Sequence, residues 1–182
     1  GHVGGGVRRE GGDDRDGQVG LVTNTGTAKT VTVKGMPTAA AVSGREFRTC
    51  ARLSAGSLKC WGTGDLGGAP GNDGPLPVAV SGIEDAIDLS AGASHNCATR
   101  TTGRVSCWGG YNYFGLLGNG TFDESATPVD VAGITSATQA SAGGFSGCAR
   151  LANATVQCWG SNYNGELGQV PYSDTPVRVV GT

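Results

Sequence analysis

The chain has 182 residues, 34 of them glycine, with 15% charged residues and a formal net charge of −2. That glycine content and scarcity of charge are unlike a helical or α/β enzyme, and scattered charges of both signs offer no basic stripe for a phosphate backbone, which argues against nucleic acid as a partner. No run of about 18 apolar residues exists to insert into a membrane, and no signal-peptide pattern or Met opens the chain, as expected of a mature product or of a fragment.

Residues 1–19 form a Gly-, Asp- and Arg-rich arm with too little apolar surface to fold alone. Within it Asp14-Arg15-Asp16-Gly17 lacks the first and twelfth ligands of a calcium loop, so it reads as a solvated turn. Residues 20–35 hold the strand of a partial repeat, Thr30-Val31-Thr32-Val33. Three units follow, 36–82, 83–133 and 134–182, aligned without a gap from Thr30, Pro77 and Pro128 to a first cysteine twenty residues on, at Cys50, Cys97 and Cys148. In each, a second cysteine stands ten residues further, at Cys60, Cys107 and Cys158, followed by Trp-Gly. Short alternating runs such as Ala86-Ile87-Asp88-Leu89-Ser90 predict strands, while helical periodicity is missing. Each unit then supplies four short strands: one before the first cysteine, two in the cysteine hairpin, and a Pro-Val-x-Val strand whose opening Pro suits an edge. Four antiparallel strands repeated at 47 and 51 residues predict an all-β fold of propeller blades. Three blades and an extra N-terminal strand leave the ring incomplete within one chain.

A three-residue hairpin loop with Gly56 in the left-handed conformation sets Cys50 opposite Cys60. Opposed Cα atoms lie close enough for a disulfide. The same spacing three times selects Cys50–Cys60, Cys97–Cys107 and Cys148–Cys158 among fifteen possible connectivities. Zinc binding competes poorly, because the spacing lacks the short zinc bite and His2 and His95 are too few. The third loop has no Gly at this position and must place its positive φ at Asn153 or use another turn. Alternation puts Trp61, Trp108 and Trp159 on the face opposite the cysteines, where they pack between blades or line a ligand groove. Bridges of this kind predict a secreted or cell-surface protein.

Cys148-Ala149 through Cys158-Trp159-Gly160-Ser161-Asn162-Tyr163-Asn164-Gly165-Glu166-Leu167-Gly168, followed by Thr175-Pro176-Val177, resembles the repeat of the regulator of chromosome condensation family, and more narrowly its bacterial extracellular, cysteine-paired branch. The resemblance covers residues 30–182. It implies a propeller, usually of seven blades, that binds other macromolecules. Departures fall in Thr63-Gly64-Asp65-Leu66-Gly67-Gly68, in Tyr111-Asn112-Tyr113-Phe114-Gly115, and at Arg45, which stands where the other units have Gly92 and Gly143.

Three function classes follow. A non-catalytic binding module would contact a protein through the loops after Trp-Gly, with Tyr111, Asn112, Tyr113, Phe114 and Arg45 as candidates, since aromatics concentrate in interface hot spots; alternatively Tyr113 and Phe114 only pack their own loop. A self-assembling module would complete its ring, or extend into a filament, with copies of itself, unless the chain is a fragment of a larger seven-blade secreted binding or inhibitor propeller. A hydrolase using the loop carboxylates Glu84-Asp85 or Asp123-Glu124 is the remote third, because no nucleophile, base and orienting group can be nominated. No cofactor or metal is implied.

Overall fold

The computed structural model describes residues 18, 20, 32–68, 71, 73–168 and 172–179. They form three antiparallel sheets of four strands each. The first sheet is β1 (Ala39–Arg45), β2 (Arg48–Leu53), β3 (Leu58–Gly62) and β4 (Gly74–Ala79); the second is β5 (Ala86–Ala91), β6 (His95–Arg100), β7 (Val105–Gly109) and β8 (Ser125–Asp130). The third is β9 (Ala137–Ala142), β10 (Ser146–Leu151), β11 (Val156–Ser161) and β12 (Tyr172–Arg178). Every sheet is a simple meander in sequence order, which is the propeller blade expected from the repeat. The arm at 1–17, with its Asp14–Gly17 turn, and most of the 20–35 strand lie outside the described residues.

In each blade the central hairpin has the register its loop dictates. Cys50 opposes Cys60, Cys97 opposes Cys107 and Cys148 opposes Cys158, and all three pairs are disulfide-bonded. Gly56 and Gly103 hold φ of 95° and 77° at the loop. In the third loop the positive φ falls on Ala154, at 65°, not on Asn153. The Asn153 side chain is engaged instead, its Oδ1 accepting from the Thr155 amide at 3.1 Å and hydroxyl at 2.7 Å, an Asx turn that holds the loop without glycine. The outer strands begin earlier than their prolines suggest. Gly74, Ser125 and Tyr172 open them, and Pro77, Pro128 and Pro176 lie inside, on the edge strand beside a register shift where the missing N–H costs nothing.

Blades stack face to face, disulfide against indole. Cys50, Cys60, Leu58 and Val80 of the first blade share a core with Trp108, Leu89 and Ala98 of the second. Cys97, Cys107 and Val105 meet Trp159, Ala140 and Ala149 of the third in the same way. Trp108 and Trp159 therefore pack between blades and line no groove, while Trp61, buried on the first blade, donates its indole N–H to the Gln18 carbonyl at 3.0 Å. Near the axis the Ala91 amide donates to Ser43 Oγ and the Ala142 amide to Ser90 Oγ, both at 2.9 Å. At the hairpin tips Gly56 and Gly103 receive the next blade's linker so closely that a Cβ would stand 2.6 Å from the Glu84 carbonyl oxygen and 2.5 Å from that of Thr135. Only glycine satisfies both the φ and the approach. The third blade's outward face carries the same positions without a described blade over them: Ser141 and Val156 are exposed and Cys148 is half-buried.

Candidate functional site

Because β1, β5 and β9 run toward one end of the blades and β3, β7 and β11 return to it, the turns after the first strands and the loops after Trp-Gly share one rim. The amides of Thr63 and Ser161 donate to the carbonyls of Phe47 and Phe145 across it. All four phenylalanines and all four tyrosines of the chain stand on this rim, and all are exposed: Phe47, Tyr111, Tyr113, Phe114, Phe122, Phe145, Tyr163 and Tyr172. The three tryptophans, by contrast, are buried. Aromatic chemistry is thus divided between scaffold and surface.

Charge is divided as well. Among the described residues the aromatic rim holds Glu46, Asp65, Asp73, Asp123, Glu124, Glu166 and Asp174 with only Arg45 and the buried Arg48 as cations. The opposite rim, made of the hairpin tips and linkers, carries Lys34, Arg52, Lys59, Arg100, Arg104, Arg150 and Arg178. Two of its arginines are already paired, Arg100 with Asp85 at 2.7 Å and Arg104 with Asp130 at 2.6 Å.

The second blade's loop is the most built part of the rim. A single 3₁₀ turn at Asn112–Phe114 is framed by Tyr111 and Gly115, both in the left-handed region. Asn112 is its hub: its amide donates to the carbonyls of Thr121 and Asp123 at 3.0 and 2.8 Å, and its Oδ1 accepts from the Leu117 amide at 3.0 Å. The third blade repeats the device, with Asn162 Oδ1 accepting from the Leu167 amide at 2.6 Å. Asn112 is fully buried, so it positions the loop and is unable to serve as the surface contact expected of it. The Tyr111 amide donates to Glu124 Oε1 at 2.9 Å. A Cβ on Gly115 would collide with the backbone of Asp174, and the Gly120 amide donates to the Asp174 carbonyl at 2.9 Å. These contacts seat the loop on the start of β12.

Tyr111, 65% exposed, and Tyr113, 73% exposed, project from this platform, with ring centroids 6.5 Å apart. Phe114 meets Phe145 edge to face at 6.2 Å, and Phe122 meets Tyr172 at 6.1 Å. Tyr113, Phe114, Phe122 and Tyr172 line a groove of about 360 Å³ between the second and third blades. Phe122, Phe145 and Tyr172 escape a reading confined to one loop, although the repeat frame contains the signal, since Phe122 and Phe145 fall in a loop and a turn of the same rim and Tyr172 opens β12 there. Arg45 is exposed, and its guanidinium approaches Gly144 of the third blade, the nearest thing to a neighbour that its departure from glycine suggests.

Beneath the rim, His95 and Arg48 occupy one repeat position and are both buried. Burial, reinforced by the positive charges of Arg48 and Arg45, pushes the His95 pKa down from 6.5 to about 4, so the imidazole is neutral at pH 7. Burial also lowers the Arg48 pKa, opposed by Asp65, Glu46 and Asp73. Both ring nitrogens of His95 lack a hydrogen-bond partner among the described residues, as do Nε and Nη1 of Arg48.

Residues 86–116 and 137–166 match one model of the regulator of chromosome condensation (RCC1) repeat, and residues 102–149 match another. No curated protein sequence matches the chain. Among solved structures, human WBSCR16 superposes with a TM-score of 0.81 at 22% identity over 94% of this chain and 48% of its own. Yeast RCC1 (Prp20), solved with Kap60, gives 0.76 at 14% identity over 95% and 44%. Prp20p from Saccharomyces cerevisiae gives 0.75 at 16% identity over 94% and 45%. This chain therefore spans less than half the length of those propellers, and the likeness fixes the fold alone. The sheets have the geometry of β-propeller blades, and residues 86–166, within the second and third of them, are similar to the RCC1 repeat.

Proposed function

We propose that the chain is an extracellular, non-catalytic protein-binding module that engages its partner through the aromatic rim. The observation that carries this reading is the gathering of every Phe and Tyr, all exposed, on one rim. Exposed aromatics cost solvation unless a partner covers them, and they are the side chains most often found at interface hot spots. Tyr111, Tyr113 and Phe114 are contact residues in this reading, with Phe122, Phe145 and Tyr172 added to them. Yeast RCC1 offers a parallel, being seen in complex with Kap60. Three disulfides favour an oxidising compartment, and no helix among the described residues is long and apolar enough to cross a membrane.

The reading is tested by placing a photo-crosslinking phenylalanine analogue at Tyr113 on this rim or at Thr102 on the opposite one. The expected result is a discrete crosslinked protein from the Tyr113 chain only, competed by wild-type chain and not by a Tyr111→Ala/Tyr113→Ala chain. Equal products from both rims would overturn it.

A second reading, assembly with copies of itself or with further blades of a longer chain, is favoured by the third blade's outward face. Its Ser141 hydroxyl and Val156 match the groups with which the first two blades seat the next. Light scattering separates the two readings, since an 18.2 kDa monomer at all concentrations removes self-assembly.

A further inference from the structure

We infer that the groove between Phe122 and Tyr172 receives a cationic side chain, an arginine or lysine, from the protein partner; this rests on the aromatic rim being the binding surface. The groove walls are four aromatic rings, Tyr113, Phe114, Phe122 and Tyr172, whose π faces attract a cation held within about 6 Å. Two acidic residues adjoin the residues that line it. Asp123 follows Phe122 in the chain, and Asp174 lies two residues beyond Tyr172 on the same face of β12, against Gly115. The side chain of neither has an ion pair or hydrogen bond among the described residues, whereas Asp85 and Asp130 on the opposite rim, with arginines in reach, are both paired. Purely apolar cover would strip water from these two carboxylates and return nothing, a cost that a positive charge removes. The rim as a whole agrees, since among the described residues it holds seven acidic side chains and a single exposed cation, Arg45. Seating is shallow and the loop that bears Tyr113, Phe114 and Phe122 is tied by Asn112, so a planar guanidinium stacked on Tyr172 or Phe122 fits the site best.

The probe is a fluorescein-labelled peptide of alternating Gly-Ser-Arg, compared by anisotropy with its Gln and Glu counterparts on the intact chain. The arginine peptide should bind about tenfold more tightly than the glutamine peptide, and the glutamate peptide should not bind. Phe122→Ala and Tyr172→Ala leave the rim's charge untouched and remove the stacking faces; each should bring arginine binding down toward the glutamine value. Asp123→Asn/Asp174→Asn keeps the rings and should lose the same preference, with unchanged thermal unfolding showing that the variants are folded. Equal binding of arginine and glutamine peptides, or arginine binding indifferent to both ring variants, overturns the inference. If crosslinking at Tyr113 still yields a specific protein in that case, the rim remains the binding surface and only its cation chemistry is wrong. Loss of both results removes the rim reading itself.

Discussion

Val105 and Val156 occupy the same repeat position, and only Val105 has a blade packed over it. Val105 is fully buried in the core shared with Trp159, whereas Val156 is 37% exposed on the open face of the third blade. Replacing either by Ala removes the equivalent of two methylene groups. At about 0.8 kcal/mol for each buried methylene, Val105→Ala loses roughly 1.6 kcal/mol of transfer energy, and the cavity beside the indole raises the total to about 2–3 kcal/mol. Val156→Ala leaves no cavity, because no described residue closes over it, and should cost less than about 1 kcal/mol. Urea titration of the two variants measures the difference directly. With a slope of about 2 kcal/mol per molar, Val105→Ala should lower the midpoint by about 1 M or more and Val156→Ala by less than half of that. Equal losses would mean that the blades do not stack as described. A Val156→Ala cost that grows with protein concentration would instead show copies covering the open face.

Three further outcomes follow from the same geometry. Gly103→Ala forces a side chain into positive φ and against the Thr135 carbonyl, so it should destabilise by about 2 kcal/mol or more, while Ala154→Gly, at the equivalent uncovered tip, should be neutral or stabilising by up to about 1 kcal/mol; the reverse ranking in thermal melts refutes the tip contact. Acid should weaken the fold through His95: the unfolded chain takes up a proton near pH 6.5 and the folded chain only near 4, so stability is complete above 6.5 and falls by roughly 3 kcal/mol as pH drops to 4. His95→Gln should flatten that slope in denaturant titrations, and an unchanged slope contradicts it. Under mild reductant the Cys148–Cys158 bridge should open first, because Cys148 is half-buried on the third blade's outward face while both other bridges are sealed between blades; alkylation and mass spectrometry would disprove this by finding Cys97 and Cys107 labelled as fast.

Much of the scaffold was legible in the chain because it recurs. Cysteine spacing, the loop glycine and the Trp that follows fix a register by local geometry alone, and the structure has that register three times. Strand limits were less legible, since Pro77, Pro128 and Pro176 are strong punctuation but an edge strand tolerates them in its interior. The site was legible only in part. Tyr111, Tyr113 and Phe114 stand out as one loop, yet Phe122, Phe145 and Tyr172 join them only through strand order, being separated in sequence and brought together by the stacking of two blades. Asn112 misled because a polar residue amid aromatics looks like a contact. Its recurrence as Asn162, five residues before Leu167 as Asn112 is before Leu117, was the sign that it ties the loop.

Hydrogen exchange on the complex captured through Tyr113 tests the division of the molecule into scaffold and binding rim most directly. The account predicts new protection in 111–124 and 172–175, with the hairpin tips at 54–56 and 101–103 unchanged. Protection at the tips with the aromatic rim unaltered would contradict it.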